Sequence, residues 1–181
     1  MNRNVEIKAK VVDFTQFLAR AEQISGQKPI LIPQKDTFFH SKQGRLKLRE
    51  FPGFNKPAEL IQYDRPDVSG PKISGFYKIN VQDPKTLGQV LSLSNGVLGE
   101  VSKIRYLFLV GQTRIHADKV DNLGNFMELE VCLKPEQTLE QGQAIAEELM
   151  NNLGVRKEDL IEGAYMDALL ADSSEKNIVV A

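Results

Sequence analysis

Polar and apolar positions alternate with a period of two along much of this chain. Asn4, Glu6, Lys8 and Lys10 are separated by Val5, Ile7 and Ala9. Arg45, Lys47 and Arg49 flank Leu46 and Leu48, and Arg114, His116 and Asp118 flank Ile115 and Ala117. In an extended strand, residues two apart share a face. Each stretch therefore predicts a strand with one apolar and one ionised face. The pattern predicts strands over 4–12, 35–40, 45–50, 58–65, 73–81, 101–110, 113–120 and 126–133. A helical period replaces it elsewhere. Phe14, Phe17, Leu18, Ala21 and Ile24 follow Asp13 as N-cap and run to a stop at Gly26. Asp83 and Pro84 open a second helix with Leu87, Val90 and Leu91 as its stripe. Thr138 and Gln141 form a capping box for a helix to Leu153, and a last helix is predicted over 158–170. Residues 172–181 read as a disordered tail, and 1–171 as one α+β domain.

The faces carry more information than the elements. Val5, Ile7, Val11, Leu46, Leu48, Ile104, Tyr106, Ile115, Met127, Leu129 and Val131 form an apolar face that helices must cover. The opposite face carries Lys8, Lys10, Arg45, Lys47, Arg49, Arg65, Lys103, Arg105 and Arg114, against Glu6, Glu59, Asp118, Glu128 and Glu130. Such a face looks either to bulk water, as in a one-faced sheet, or into the lumen of a barrel that holds a ligand. Arginines at strand centres favour the lumen. So do Glu128 and Glu130, which repel one another unless a cation sits between them. Both signs on one face suit a polyanion held together with a metal ion.

Composition narrows the picture. At 181 residues with 41% hydrophobic and 26% charged positions, the chain suits a soluble globular protein. A net charge of -1 offers no general attraction to nucleic acid or to an anionic membrane. Cys132 is the sole cysteine, so neither an internal disulfide nor a cysteine-rich zinc site is expected. With no run suited to a bilayer and no secretory leader of the usual form, a cytoplasmic location is expected. His116 reads as a hydrogen-bonded structural residue, with acid–base work as the alternative. Tyr63 and Tyr165 read as packing residues that could instead line an organic subsite, and Cys132 as a small core residue.

Several segments in order resemble the CYTH superfamily of triphosphate-tunnel proteins, most closely the class IV adenylyl cyclase branch. Asn4-Val5-Glu6-Ile7-Lys8 matches its Glu-x-Glu-x-Lys signature, with Asn4 where the family has its first glutamate. Asp36-Thr37-Phe38-Phe39 precedes Leu46-Lys47-Leu48-Arg49 as an aromatic strand precedes a Leu-Arg strand in that family. Lys103-Ile104-Arg105, the run 115–120 and the run 123–130 resemble its middle and C-terminal motifs.

The resemblance implies an antiparallel eight-stranded β-barrel or tunnel with a charged polar lumen and helices packed outside. It implies Mg²⁺ or Mn²⁺ held by Glu6, Glu128 and Glu130, with Asp118 as a weaker ligand. Phosphate contacts would come from Lys8, Lys10, Arg45, Lys47, Arg49, Arg65, Lys103, Arg105 and Arg114, and Glu6 and Lys8 would be catalytic, Lys8 as a general base. The expected activity is metal-dependent hydrolysis of a small-molecule triphosphate by a monomer or homodimer. The alternatives are cyclisation of ATP to cyclic AMP and pyrophosphate, or binding of polyphosphate or nucleotide without turnover. Asn4 removes one negative charge from the implied metal site and so favours the last.

Overall fold

The computed structural model describes residues 2–64, 70–162, 165 and 167–171. Eight strands form a closed antiparallel barrel: β1 Asn2–Lys10, β2 Ile30–Phe39, β3 Arg45–Glu50, β4 Ala58–Asp64, β5 Lys72–Val81, β6 Val97–Val110, β7 Thr113–Val120 and β8 Gly124–Cys132. Around the ring they run β1, β5, β4, β3, β2, β6, β7 and β8, and β8 pairs back onto β1. In such a ring alternation sorts side chains outward and inward.

The outward set is apolar and covered by helices. α1 (Phe14–Ser25) starts where the Asp13 carboxylate accepts from Gln16 N and ends where Gly26 takes a left-handed φ of 68°. α3 (Leu139–Asn152) starts at the predicted Thr138–Gln141 capping box. Phe14, Phe17 and Ala21 of α1 and Ala146, Leu149 and Met150 of α3 bury against Val5, Ile7, Ile115, Met127, Leu129 and Val131. α3 can lie this close because Gly142 faces Val5 and Leu133 with no side chain of its own. α2 (Pro84–Ser94) turns Leu87 and Leu91 onto Leu48, Phe39 and Val81, while Val90 is exposed.

Three sequence expectations need correction. β2 begins at Ile30, five residues before its predicted start, despite Pro33. Its pairing with β3 begins only at Lys35, so at Pro33 the strand has β6 alone as a neighbour and tolerates a missing N–H. β6 likewise begins four residues early, at Val97. The helix predicted over 158–170 begins as a single 3₁₀ turn, Lys157–Asp159. Leu160 then bridges to Ala9, and helical backbone is described at 165 and 167–171. Leu160 packs against the main core, which draws the chain out of the helix there. The predicted tail, 172–181, and Arg65 lie outside the described residues. Among the described residues no helix is long and apolar enough to cross a membrane.

Candidate active site

The inward positions enclose a cavity of about 380 Å³ that runs through the barrel, a size suited to a small-molecule ligand. One end is ringed by Phe38, Ile61, Tyr63, Val101, Val120 and Phe126, with Tyr165 reaching in from the C-terminal segment. Arg114, Cys132, Phe51, Lys56, Glu59 and Lys78 lie toward the other end. Between them the wall is ionised. Lysines and arginines outnumber carboxylates eight to five along the whole lining. This surplus survives inclusion of Asp118, which sits just behind the wall.

The charges are segregated. Glu6 on β1 and Glu128 and Glu130 on β8 form an acidic wall. Lys47 and Arg49 on β3 stand opposite β8 in the ring, and Lys103 and Arg105 on β6 continue the basic wall. Two buried carboxylates each serve two of these cations. Asp36 accepts two hydrogen bonds from Arg49, both 2.7 Å, and lies 3.2 Å from Lys47 Nζ. Asp118, with no exposed surface, accepts from Arg105 at 2.8 and 2.7 Å and from the Tyr165 hydroxyl at 3.0 Å; Lys103 Nζ is 3.7 Å away. Four cations thus share two internal anions, leaving net positive charge for an incoming anion.

The titrations follow from this arrangement. Burial alone would raise Asp36, but Arg49 and Lys47 overcome it and hold the carboxyl well below its ordinary value. Asp118 is held low in the same way, with Arg105 and Lys103 outweighing burial. Burial, with the charge of Arg49 alongside, pushes Lys47 down to about 8. Lys103 is also driven well down, first by burial and then by Arg105. Burial and the charge of Asp118 hold the Tyr165 phenol protonated.

On the acidic wall, Lys8 Nζ lies 3.6 Å from Glu128 Oε2 and 4.2 Å from the Tyr165 ring centroid. His116 Nδ1 is 3.3 Å from Glu128 Oε1. Burial would raise Glu128, but its hydrogen bond to His116 and the charge of Lys8 take it well below the usual carboxylate range. Burial, then Arg105, lowers His116. Ligand atoms of His116, Glu128 and Glu130 all lie within 4.8 Å of one another, a group able to hold a metal ion. Asn4 Nδ2 donates to Glu130 Oε1 at 3.0 Å, so the amide orients this carboxylate.

The CYTH domain family model matches residues 2–165. The chain belongs to the CYTH family. Its barrel superposes on the PH1012 protein of Pyrococcus horikoshii OT3 with a TM-score of 0.78 at 22% identity, covering 92% of this chain and 98% of that one. A proposed adenylate cyclase of Vibrio parahaemolyticus gives 0.74 at 20% identity, covering 92% and 97%. The Hippeastrum protein HpAC1, a proposed adenylyl cyclase described as having a dominant triphosphatase activity, gives 0.64 at 17% identity, covering 96% of each chain. These identities speak to the CYTH fold alone. No curated protein matches the chain in sequence.

Within this CYTH tunnel lie ten of the ionised-face residues singled out from sequence: Glu6, Lys8, Lys47, Arg49, Glu59, Lys103, Arg105, Arg114, Glu128 and Glu130. Others lie elsewhere. Lys10 is exposed and borders a surface cleft with Arg20 and Arg156. Arg45 is engaged outside the cavity by Asp167, through hydrogen bonds of 2.9 and 2.7 Å. Asp118 stands apart from the Glu128–Glu130 group because its oxygens are committed to Arg105 and Tyr165. Cys132 lines the tunnel, with Sγ 3.9 Å from Glu130 Oε1, and is not a core residue. Tyr63 and Tyr165 line it too. The sequence reading passed over Gln34 and gave Asp36 a place in a motif but none in the lumen. Their two-residue alternation was the available signal, but the apolar Ile32 and Phe38 on the same inward face obscured it.

Proposed function

We propose that this chain is a metal-dependent triphosphatase acting on tripolyphosphate or a nucleoside triphosphate. The observation that carries the reading is the facing of a basic wall and an acidic wall inside one closed barrel. A triphosphate is a chain of negative charge. Lys47, Arg49, Lys103, Arg105 and Arg114 can take its oxygens, and arginine forks suit them geometrically.

Glu6, Glu128 and Glu130 fit a hard divalent cation, because all three bring carboxylates to one wall of the tunnel, Glu6 as the register partner of Glu130, and Glu128 and Glu130 with oxygens close enough to share an ion. Mg²⁺ or Mn²⁺ held there supplies charge neutralisation at the transferring phosphoryl group. Lys8, held between Glu128 and the Tyr165 ring, is the residue we assign, as the neutral amine, to receive the proton of an attacking water and become the ammonium that pairs with Glu128. Asp36 and Asp118 fix the arginines so that the anion meets preoriented donors rather than mobile side chains. Arg105, gripped by Asp118 and 4.0 Å from Glu128, bridges the two walls.

Adenylyl cyclase chemistry is the second reading, favoured by one observation. Phe38, Tyr63 and Phe76 line the same tunnel and offer apolar surface to a nucleobase. Product analysis distinguishes the two. Purified protein with Mg²⁺ or Mn²⁺ is offered tripolyphosphate, ATP and thiamine triphosphate in parallel. Orthophosphate supports the triphosphatase, and cyclic AMP with pyrophosphate replaces it by the cyclase. Metal-dependent binding without turnover rejects both in favour of a binding module.

A further inference from the structure

We infer that the buried imidazole of His116 is a nitrogen ligand in the tunnel's metal site, so that the site selects a first-row transition dication such as Mn²⁺ over Mg²⁺. This rests on the reading of the tunnel as metal-dependent.

Three observations lead here. The first is proximity. His116 and Glu128 are register partners on β7 and β8, and a ring nitrogen of His116 lies within 4.8 Å of oxygens of both Glu128 and Glu130. The second is the separation of Nδ1 from Glu128 Oε1, 3.3 Å. That is long for an N–H···O bond, which favours about 2.9–3.0 Å. Two neighbouring ligands of one small dication, each about 2.1 Å from it, stand roughly 3 Å apart. The third is Nε2. The ring has no exposed surface, and Nε2 has no hydrogen-bond partner among the described residues. Nothing donates to Nε2 among the described residues, so nothing forces the ring proton onto Nδ1, and the ring can present an unprotonated Nδ1 to an ion while Nε2 carries the N–H.

The donor set then decides the ion. Asn4 turns its N–H₂ toward Glu130, so it does not add a second carboxylate beside it. What remains is a mixed nitrogen and oxygen set. Imidazole suits transition dications such as Fe²⁺, Ni²⁺ and Zn²⁺; Mn²⁺, the weakest of that series, shares the oxygen preference of Mg²⁺ but belongs to the series that accepts a nitrogen ligand, whereas Mg²⁺ holds to oxygen ligands and keeps its waters.

The test uses the full chain loaded with Mn²⁺, carrying either ¹⁴N- or ¹⁵N-histidine, and reads nitrogen coupling by pulsed electron paramagnetic resonance. The chain has two histidines, and His40 does not line the tunnel. The expected result is a coupling that changes with the isotope, persists in His40→Gln and vanishes in His116→Gln. The ratio of Mn²⁺ to Mg²⁺ affinity should fall at least about tenfold in His116→Gln. Bound Mn²⁺ without histidine coupling overturns the assignment, and the triphosphatase reading stands if turnover persists. Failure of Mn²⁺ to bind overturns the assignment, and failure of Mg²⁺ to bind as well overturns both. The isotope comparison is made on the unsubstituted chain, so it decides the matter even if His116→Gln does not fold.

Discussion

Asp118→Ala should be among the most destabilising single changes in the tunnel. The carboxylate has no exposed surface and holds Arg105 by two hydrogen bonds of 2.8 and 2.7 Å, with Lys103 at 3.7 Å and the Tyr165 hydroxyl at 3.0 Å. The Arg105 and Lys103 side chains are only 7% and 4% exposed, so water cannot replace the lost partner. Breaking a buried pair on one side costs about 3–5 kcal/mol, because a charge is left uncompensated. For a chain of this size each kcal/mol moves Tm by roughly 2–4 °C, so the expected fall is about 6–20 °C. Thermal and urea melts measure it, with Glu100→Ala as control, since the exposed Lys35–Glu100 pair at 3.3 Å should contribute less than about 1 kcal/mol. Tripolyphosphate should restore part of the loss by supplying the missing negative charge. A variant melting within 2 °C of the parent would refute the reasoning, since it would mean that water solvates the basic wall. The sign with pH is fixed as well. Asp118 is held below its ordinary value of 3.8, so its contribution is complete above that pH and is lost as pH falls toward the lower, folded value.

Other consequences are open to test. Lys47, pushed down to about 8, should make tripolyphosphate binding weaken as pH rises through 8, a step that calorimetry should find missing in Lys47→Met. In the ligand-free protein the same group acts the other way: between about 8 and its ordinary 10.5 the unfolded chain holds more protons, so this residue makes stability rise with pH. Glu128→Ala and Glu130→Ala should each abolish metal-dependent phosphate release, and full activity in both would remove the acidic wall from the mechanism. Asn4→Glu replaces a donor to Glu130 with a second carboxylate. The variant should melt lower than the parent in chelator and gain more from added Mn²⁺; an equal gain would count against a metal on this wall. In Gly142→Ala the new methyl would meet Leu133 Cδ2 at 2.5 Å and Val5 Cγ2 at 2.8 Å. Overpacking of about 1–3 kcal/mol should exceed the roughly 1 kcal/mol gained in helix propensity, and a higher Tm would show that α3 shifts freely.

The barrel was legible where one strand face is uniformly ionised. Glu6 and Lys8, Lys47 and Arg49, Lys103 and Arg105, and Glu128 and Glu130 announce their side of the wall through spacing alone. β2 did not, because its inward face mixes Ile32, Gln34, Asp36 and Phe38, and Pro33 reads as a strand breaker until the missing neighbour at that level is known. Spacing also cannot say where an ionised face runs out. Lys10 and Arg45 continue the alternation beyond the cavity, one toward solvent and one to Asp167. Nor can it reveal which carboxylate is already taken. Asp118 carries the same pattern as Glu128, and only the approach of Arg105 and Tyr165 separates a structural anion from a candidate ligand.

The closure of β8 onto β1 has a consequence for how the protein comes to exist. The strand that begins the chain supplies Asn4, Glu6 and Lys8, and their partners Glu130 and Glu128 arrive at the other end of the ring; the Asn4–Glu130 hydrogen bond spans 126 residues. Such non-local pairing makes for slow folding, on the scale of milliseconds to seconds. During synthesis β1 must wait, its apolar and ionised faces both unpartnered along this edge, until β8 has been made. The acidic wall is therefore assembled in the same event that shuts the barrel. A chain stalled short of that event carries the basic wall of β3 and β6 without its acidic counterpart, so metal added to such intermediates should leave the folding rate unchanged while slowing unfolding of the finished ring.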